Sequence, residues 1–523
     1  MIPGAPPESA RRSPVFLGSV AVAALVLAWY YAEDLPLRAG VAYHHLASVR
    51  ELAKGEFPPG NNLVPGRIPV GHYGPYMVAL GWIARLSGAA PIVVLECAGV
   101  ALLVTFLLAF HALAARLVSP GAAEWSVPAA LLLWGPWPGP VMPWVAWGWP
   151  GTTSPADAQN FFYPQHAALT VLLLLLVVAL DGRLDLRRLA ALAGLAALLI
   201  TTHPYSGLAL GPAVTCLAAA LALHRAHPPG VLLGLLLVPA AGLLVAGLWP
   251  YYPVWRLLEA FVDPNFRQPL PALAALHAPG AATVSLEAAG MPAWHILGPS
   301  LLGLVGAVAL ARRGRPFLML WCGAALLLAL VSLVPLRERL VTFAALPLQL
   351  AATALFEALW KRRPAGRAAI ALALAAMSFV TWRRIDLVRE LETLDLGFVE
   401  RATPEDAVVL ASERLSNAVA GLTGRKVVCP EGPDLFLILA GGAERMLDRD
   451  LFFKPRASLE LRRAILDRWR VTHVLVDRLG PRPVRLPYPI VAEGDALVLY
   501  DVQRDSPAPP DAVRETTPLS SPR

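Results

Sequence analysis

Charged residues are scarce in this chain of 523 amino acids. They make up 15% of the sequence, and 56% of the residues are hydrophobic, whereas ordinary soluble domains carry roughly 25% charged residues. Apolar runs recur along the first three quarters, far more than one water-soluble core could bury. The composition excludes a soluble enzyme and predicts a polytopic membrane protein.

Cysteine is almost absent, and the common cofactor motifs are missing. Three of the four cysteines lie inside apolar runs, which leaves Cys429 without a partner on the soluble side, so no disulfide framework is predicted. The sequence contains neither a P-loop nor a dinucleotide fingerprint. The outer loops contain no Asp-x-Asp, and the adjacent His44 and His45 do not share a helix face. We therefore expect no cofactor, and a divalent metal has no support.

The net charge of +7 comes from 44 basic and 37 acidic residues. The basic residues form short clusters between apolar runs and not one continuous stripe, which argues against nucleic acid as a partner. Such clusters stay in the cytoplasm in membrane proteins. They therefore indicate which loops face inward.

The alternation of basic clusters and apolar runs predicts about eleven membrane-spanning helices with a cytoplasmic N-terminus. The stretch 73–86 would break the alternation if it crossed, so we expect it to lie along the outer surface. The predicted cytoplasmic clusters are Arg11 with Arg12, Arg116, 183–188, 224–227, 312–315 and 361–367. The predicted spans are 15–32, 91–115, 125–142, 166–180, 188–202, 206–223, 230–249, 294–311, 316–335, 340–359 and 367–382.

The composition changes at residue 383, because the last part of the chain holds 22 of the 37 acidic residues. We predict a transmembrane domain at 1–382, with a catalytic outer loop at about 33–90, then an extracytoplasmic α/β domain at 383–504 and a disordered tail at 505–523. The predicted helices of the α/β domain are 385–400 and 456–470. Its predicted strands are 407–411, 426–429, 472–477, 489–492 and 497–502. The fold class is thus mainly α, polytopic, with a C-terminal extracytoplasmic α/β domain.

Two acidic residues, Glu33 and Asp34, follow the first predicted span. A carboxylate at that place is costly unless it has a function or a partner, although acids also mark the water interface at many helix ends. The polar loop that follows is long, and long ordered loops are usually functional. It ends in His72 and Tyr73, which we take as candidates for substrate binding.

These residues resemble the GT-C superfamily of integral-membrane glycosyltransferases, and the bacterial mannosyltransferase-like members in particular. The similar features are the acidic pair, the stretch Arg50-Glu-Leu-Ala-Lys-Gly-Glu-Phe-Pro, the sequence Tyr73-Gly-Pro-Tyr before an apolar helix, and the C-terminal α/β domain. The resemblance implies a sugar donor linked to polyprenyl phosphate, with Asp34 as the catalytic base. Glu33 would orient Asp34 or bind the sugar, and Glu56 is a further acid to test.

Other polar groups are predicted at the outer mouth of the helices. The resemblance places Arg339, and less strongly Arg337, near the donor phosphate, because Arg339 precedes a Leu346-Pro-Leu stretch. The alternative is that both arginines anchor a helix end. We also take the cluster Tyr163, Gln165 and His166 as substrate-binding. His203 is a further candidate, although a His-Pro turn is also common as plain structure.

The sequence thus predicts a glycosyltransferase of the cell inner membrane that moves a sugar to an acceptor hydroxyl on the outer face. Its partners would be the polyprenyl-phosphate sugar donor, a glycan, lipid or protein acceptor, and membrane lipid. A transporter or flippase of a lipid-linked substrate is an alternative, but transporters usually show repeated halves and ionisable residues near the membrane centre. A non-catalytic GT-C-like scaffold is a third reading.

Overall fold

The chain divides into two compact units. Unit 1 comprises Met1–Pro59 and Pro69–Thr393, and unit 2 comprises Gly60–Ile68 and Leu394–Arg523. The structure is a computed structural model, and it describes residues 13–38, 42–67, 70–133, 161–181, 184–262, 298–331, 337–362, 364–389, 394–430, 441–478 and 484–503. The predicted tail at 505–523 lies outside the described residues.

Unit 1 is built of helices. They are α1 (Pro14–Ala32), α2 (Leu35–Arg38), α3 (Tyr43–Ala53), α4 (Pro75–Ser87), α5 (Pro91–Leu117), α6 (Pro120–Ala123), α7 (Ser126–Leu132), α8 (Pro164–Leu180), α9 (Leu186–Thr202), α10 (Pro204–Leu208), α11 (Leu210–Leu223), α12 (Pro229–Ala246), α13 (Val254–Val262), α14 (Gly303–Arg312), α15 (Phe317–Val331), α16 (Arg337–Lys361) and α17 (Pro364–Arg389). Each predicted span contains a helix, although the span 125–142 is described only as far as residue 133.

Five stretches of helix in the described residues are long and apolar enough to cross a bilayer. These are Pro14–Ala32, Pro91–Leu117, Pro204–Leu223, Pro229–Ala246 and Phe343–Lys361. Shorter apolar helices accompany them at Pro164–Leu180, Ser300–Arg312, Phe317–Leu328 and Pro364–Ala376. The fold is therefore that of a polytopic membrane protein.

Local sequence explains where several helices begin. Proline occupies one of the first two positions of α1, α4, α5, α8 and α12, where its missing N–H loses no helical hydrogen bond. The Ser13 hydroxyl accepts a hydrogen bond from the N–H of Phe16, and the Asp185 carboxylate accepts one from the N–H of Arg188 at 2.8 Å. Both side chains satisfy N–H groups that the first turn leaves unpaired.

Polar contacts join several helix ends that carry predicted cytoplasmic clusters. The pairs are Ser13 with Glu124, Ser119 with Glu357 (2.6 Å), Arg315 with the carbonyl of Val118 (2.6 Å), and Arg116 with Asp181 (3.2 Å). These ends of α1, α5, α8 and α16, with the turn before α15, therefore lie together at one end of unit 1. That grouping agrees with the alternation of basic clusters on which the predicted topology depends.

Helices α14 and α16 cross at close range because of two glycines. A Cβ on Gly303 would collide with the carbonyl oxygen of Leu348, and one on Gly306 with that of Ala351. Small residues one turn apart let helix backbones approach in this way inside membranes. Helix α16 continues through Pro347, so the Leu346-Pro-Leu stretch lies inside this helix and does not start it.

Unit 2 contains a five-stranded sheet of β1 (Val408–Ala411), β2 (Lys426–Val427), β3 (His473–Asp477), β4 (Ile490–Glu493) and β5 (Leu497–Asp501). The spatial order is β2-β1-β3-β5-β4. Strands β2, β1 and β3 are parallel, and β5 is antiparallel to both β3 and β4. The five predicted strands are confirmed.

Helices cover this sheet. Alternate strand residues such as Leu410, Val474 and Val498 form one core with Phe452 and Ile465. The last two belong to helices α20 (Gly442–Phe452) and α21 (Leu459–Trp469), which follow α18 (Gly397–Ala402) and α19 (Glu413–Ala418). The predicted helix at 385–400 is wrong, because α17 ends at Arg389 and α18 starts only at Gly397. Non-helical residues 394–396 separate the two in the described part of the chain.

A piece of the first outer loop belongs to unit 2, which the strand pattern does not indicate. The carbonyl of Leu63 accepts a hydrogen bond from the N–H of Val427 at 2.7 Å, at the free edge of strand β2. The Asn61 side chain accepts from the N–H groups of Leu63 and Val64, both at 2.9 Å. Leu63 and Val64 are buried. The loop thus covers an edge that would otherwise be open to pairing.

Candidate active site

Glu33 and Asp34 form a tight turn between α1 and α2. The Asp34 backbone has φ of +55°, a left-handed conformation in which aspartate is more common than most residues. Its N–H donates to the carbonyl of Tyr31 at 2.9 Å, and its carbonyl accepts from the N–H of Leu37 at 3.0 Å. The hydroxyl of Tyr43 on α3 donates to the Leu37 carbonyl at 2.7 Å. The turn is held from both sides, and the Asp34 side chain remains exposed.

Glu33 differs from its neighbour because it has an ionic partner. Its carboxylate lies 3.5 Å from the guanidinium of Arg389, the last residue of α17. Arg389 also lies over the ring of Trp29, at 5.7 Å from its centroid, and Trp29 stacks on Trp382 at 5.7 Å. Glu33 therefore ties the end of α1 to the end of α17, and Asp34 is the carboxylate of the pair that faces solvent.

The glycine in the Arg50-to-Pro58 stretch has a structural reason. Gly55 follows the end of α3 with φ of +74°, and a Cβ there would collide with the guanidinium of Arg85 on α4. Gly81 of α4 likewise leaves no room for a Cβ beside Leu52 of α3. Small residues thus let α3 and α4 pack closely within the predicted outer loop.

A histidine cluster lies at the start of α3. The ring centroid of His44 is 3.9 Å from that of His45 and 5.1 Å from that of His72, and His45 lies 4.5 Å from Tyr163. The rings of adjacent His44 and His45 therefore do come together, contrary to the helix-face argument. Burial, with smaller effects of His44, His72 and His203, lowers the pKa of His45 well below its usual range. Burial thus favours the neutral imidazole of His45.

The turn before α4 packs against the end of α9. A Cβ on Gly74 would lie 2.5 Å from the carbonyl oxygen of Thr201 and 2.9 Å from the Cα of Thr202. The indole N–H of Trp249 donates to the carbonyl of Tyr73 at 2.9 Å, and the Tyr252 hydroxyl donates to the carbonyl of Thr201 at 2.7 Å. Segments from three parts of the sequence thus meet at the end of α9.

Two predicted substrate-binding residues are packed inside. Tyr73 is 1% exposed, and burial followed by the nearby Glu51 raises the pKa of its hydroxyl well above the usual range. His166 is 4% exposed and lies 4.7 Å from Phe161 between ring centroids. Tyr163 and Gln165 are half-buried at the start of α8. Tyr163 and Gln165 are therefore the more accessible of the four candidates, and Tyr73 and His166 are buried.

His203 has a clear structural role. Its Nδ1 accepts a hydrogen bond from the N–H of Ser206 at 3.2 Å and lies 2.8 Å from the Ser206 hydroxyl, so it caps the start of α10. The ring proton of the neutral form is then on Nε2. His203 also lies within electrostatic range of His45. It therefore lies near the histidine cluster.

Arg337 and Arg339 lie in the first turn of α16, which begins at Arg337. The predicted spans 316–335 and 340–359 place both arginines in the short outer turn between them. Two cations at the start of a helix favour an anion. Their side chains lie outside what the structure describes.

Sequence reasoning missed one carboxylate beside Asp34. Glu96 lies in the second turn of the apolar helix α5, and it interacts electrostatically with Asp34. A single acid in an apolar run of that length is itself a signal of function. In the described ranges, no three or more histidine, cysteine, aspartate or glutamate side chains are arranged to hold a metal ion.

Comparison with known proteins shows the fold. No family model and no curated relative matches the sequence. The structure is similar to that of ArnT from Cupriavidus metallidurans in the apo state, with a TM-score of 0.51, 13% identity, and coverage of 92% of this chain and 97% of that one. ArnT bound to undecaprenyl phosphate gives a TM-score of 0.50 at 13% identity, with the same coverage.

A second similar structure comes from an archaeon. It is the oligosaccharyltransferase AglB from Archaeoglobus fulgidus in complex with an inhibitory peptide and a dolichol-phosphate. The TM-score is 0.50 at 14% identity, and the match covers 88% of this chain and 69% of that one. Both neighbours are GT-C proteins, so the fold that the sequence resemblance implied is confirmed.

Proposed function

We propose that this chain, which has the fold of the GT-C membrane glycosyltransferases, transfers a sugar from a polyprenyl-phosphate-linked donor to an acceptor hydroxyl on the outer face of the membrane. The observation that carries the proposal is the turn at the end of α1. It keeps the carboxylate of Asp34 exposed, while the neighbouring Glu33 is engaged with Arg389. A general base must reach the proton that it accepts, and an exposed carboxylate at a helix end can do so.

In the proposed reaction, Asp34 accepts the proton of the acceptor hydroxyl. The acceptor oxygen forms a bond to the anomeric carbon, the bond from that carbon to the phosphate oxygen breaks, and polyprenyl phosphate leaves with the bonding electrons. The leaving group is an anion that needs cations, and arginine binds phosphate bidentately and stays charged. Arg339, supported by Arg337 and the N-terminus of α16, is our candidate for that contact.

We further propose that the protein lies in the plasma membrane, with its N-terminus in the cytoplasm and unit 2 outside. The support is the set of polar contacts that gathers the helix ends with predicted cytoplasmic clusters at one end of unit 1. Glu33 and Arg389 pair near the opposite ends of α1 and α17. The acceptor hydroxyl belongs to a glycan, a lipid or a protein.

The test compares Asp34→Asn with Glu33→Gln in the purified full chain, supplied with radiolabelled undecaprenyl-phosphate sugars. Asp34→Asn should lower turnover at least about 100-fold, the lower end of general-base contributions, without loss of thermal stability. The ion pair of Glu33 is more than a third exposed and so contributes at most about 1 kcal/mol. Glu33→Gln should therefore change turnover less than about fivefold.

Normal turnover in Asp34→Asn would refute the assignment of the base, and the exposed Glu56 would be the next acid to examine. Unfolding of the variant would instead make Asp34 a structural residue.

A further inference from the structure

Three polar atoms at the outer ends of α1, α4 and α5 are buried without a well-formed hydrogen bond in the described part of the chain, although the backbone of Phe162 lies near one of them, the Tyr31 hydroxyl. They are the hydroxyls of Tyr31 and Tyr76 and the Oε1 of Glu96. We call these three residues the tyrosine–glutamate cluster. Native proteins pair nearly all buried polar groups, so each exception needs an explanation.

The three groups lie near one another. The Tyr31 hydroxyl rests directly on Gly99, where a Cβ would collide with it, and Gly99 is one turn after Glu96 on α5. Tyr31 interacts electrostatically with both Tyr76 and Glu96, and Glu96 does so with Asp34. The cluster therefore adjoins the proposed base.

An unpaired buried hydroxyl or carboxylate is unfavourable, because the group loses its water and gains nothing. Interfacial anchoring does not explain these residues, since an anchoring tyrosine keeps its hydroxyl in water. By contrast, the Tyr252 hydroxyl is paired with the carbonyl of Thr201. A polar ligand that supplies the missing partners accounts for the cluster.

The chemistry of the cluster indicates which ligand. A carboxylate only accepts hydrogen bonds, and a phenol both donates and accepts, so the set complements neighbouring hydroxyls of a neutral ligand. A phosphate is disfavoured because the exposed carboxylate of Asp34 would repel it. The ring of Phe162, 5.7 Å from that of Tyr31, adds an apolar surface of the kind on which the C–H face of a sugar packs.

We propose that Tyr31, Tyr76 and Glu96 bind the ring hydroxyls of the sugar that the donor carries. This inference rests on the proposed function. Because Asp34 is exposed and has to contact the acceptor hydroxyl, the sugar in transfer occupies the adjoining buried position. Glu96 accepts a hydrogen bond from one sugar hydroxyl, and the two phenols pair with its neighbours.

The experiment measures binding of two ligands to the purified full chain in detergent: undecaprenyl phosphate, and undecaprenyl-phosphate-linked sugars from a panel. The variants are Tyr31→Phe, Tyr76→Phe and Glu96→Gln, with Tyr252→Phe as the matched control. Each lost neutral hydrogen bond should raise the Kd for the sugar-bearing lipid by about 3- to 10-fold, and loss of the Glu96 charge by about 10-fold or more. The Kd for undecaprenyl phosphate should not change.

Thermal stability without ligand provides a second readout. Removal of the Tyr76 hydroxyl should leave the melting temperature unchanged or higher, because no group in the described part of the chain pairs with it. Tyr252→Phe should lower the melting temperature, because that hydroxyl is bonded. Tyr252→Phe should keep the wild-type preference for the sugar-bearing lipid. If Glu96→Gln does not fold, the two phenylalanine variants carry the test.

Several results would overturn the inference. Unchanged sugar-lipid binding in all three variants would mean that water satisfies the cluster. Equal weakening of both ligands would place the lipid phosphate there, and wild-type donor binding with impaired use of the acceptor would assign the cluster to the acceptor. If the wild-type protein binds undecaprenyl phosphate but no sugar-bearing form, the proposed function itself fails, and the inference fails with it.

Discussion

Replacement of Gly74 by alanine tests how closely the turn before α4 packs against the end of α9. Gly74 precedes α4 with φ of −69° and ψ of 165°, which alanine adopts without strain. The obstacle is packing, because the new Cβ would lie 2.5 Å from the carbonyl oxygen of Thr201 and 2.9 Å from the Cα of Thr202. Both are backbone atoms of neighbouring residues, so no side chain can rotate away.

The size of the effect follows from these distances. Ordinary contact begins at 3.4 Å, so the two backbones must separate by 3.4 − 2.5 = 0.9 Å. Overpacking of this kind costs about 1–3 kcal/mol. The shift also moves His72 and Tyr73 relative to His203, and a displacement of about 1 Å near a site can lower a rate about 100-fold. We expect a folded protein with a lower melting temperature and turnover reduced about 10- to 100-fold.

The assay follows melting temperature and turnover of undecaprenyl-phosphate sugars in parallel. Gly194→Ala is the matched control, because Gly194 lies on α9, the helix that Gly74 contacts, and a Cβ there meets nothing within 4 Å. That control should be neutral or stabilise the protein by about 0.5–1 kcal/mol. Wild-type stability and turnover in Gly74→Ala would refute the close approach of α4 to the end of α9.

Four further predictions concern other parts of the molecule. Exchange of 61–64 for Gly-Ser-Gly-Ser should make unit 2 markedly more sensitive to trypsin, because each buried apolar side chain there contributes about 1.5–3 kcal/mol; unchanged digestion would contradict the edge pairing. Thermal stability should fall as the pH drops below about 6.5, because the unfolded chain then binds a proton that buried His45, with its lowered pKa, does not. His45→Phe should make thermal stability depend less on pH. An equally steep pH dependence in this variant would refute the role of His45. A reporter active only in the cytoplasm should be silent after Val502, and a strong signal would reverse the topology. Arg339→Ala should weaken binding of undecaprenyl phosphate by about 10-fold or more, and Arg337→Ala should weaken it less. If both variants bind undecaprenyl phosphate as the wild type does, the two arginines only anchor the helix end.

Secondary structure was largely predictable from local patterns. Apolar runs bounded by proline and basic clusters located the long helices, and short β-branched runs located all five strands of unit 2. The reason is that spans and buried strands each satisfy a constraint visible in a few consecutive residues. Helix α3 was not predicted, because its sequence, with two histidines and two charged residues, has no such apolar run.

The site was only partly predictable. The acidic pair after α1 was visible, since carboxylates at the end of an apolar run stand out. The sequence could not tell which of the two is free, because that depends on Arg389, more than 350 residues away. It also suggested Tyr73 as a ligand, whereas packing against the end of α9 buries that side chain.

What the sequence determined by itself is the class of the protein: a polytopic membrane chain with an acidic turn after its first helix and an α/β domain at its end. The tertiary structure decided which side chains meet. It brought Tyr31, Tyr76 and Glu96 together from three helices, and it gave the edge of β2 a segment from the first loop. Hydropathy and secondary-structure propensity act over a few residues, whereas such tertiary contacts depend on how helices pack across the whole chain.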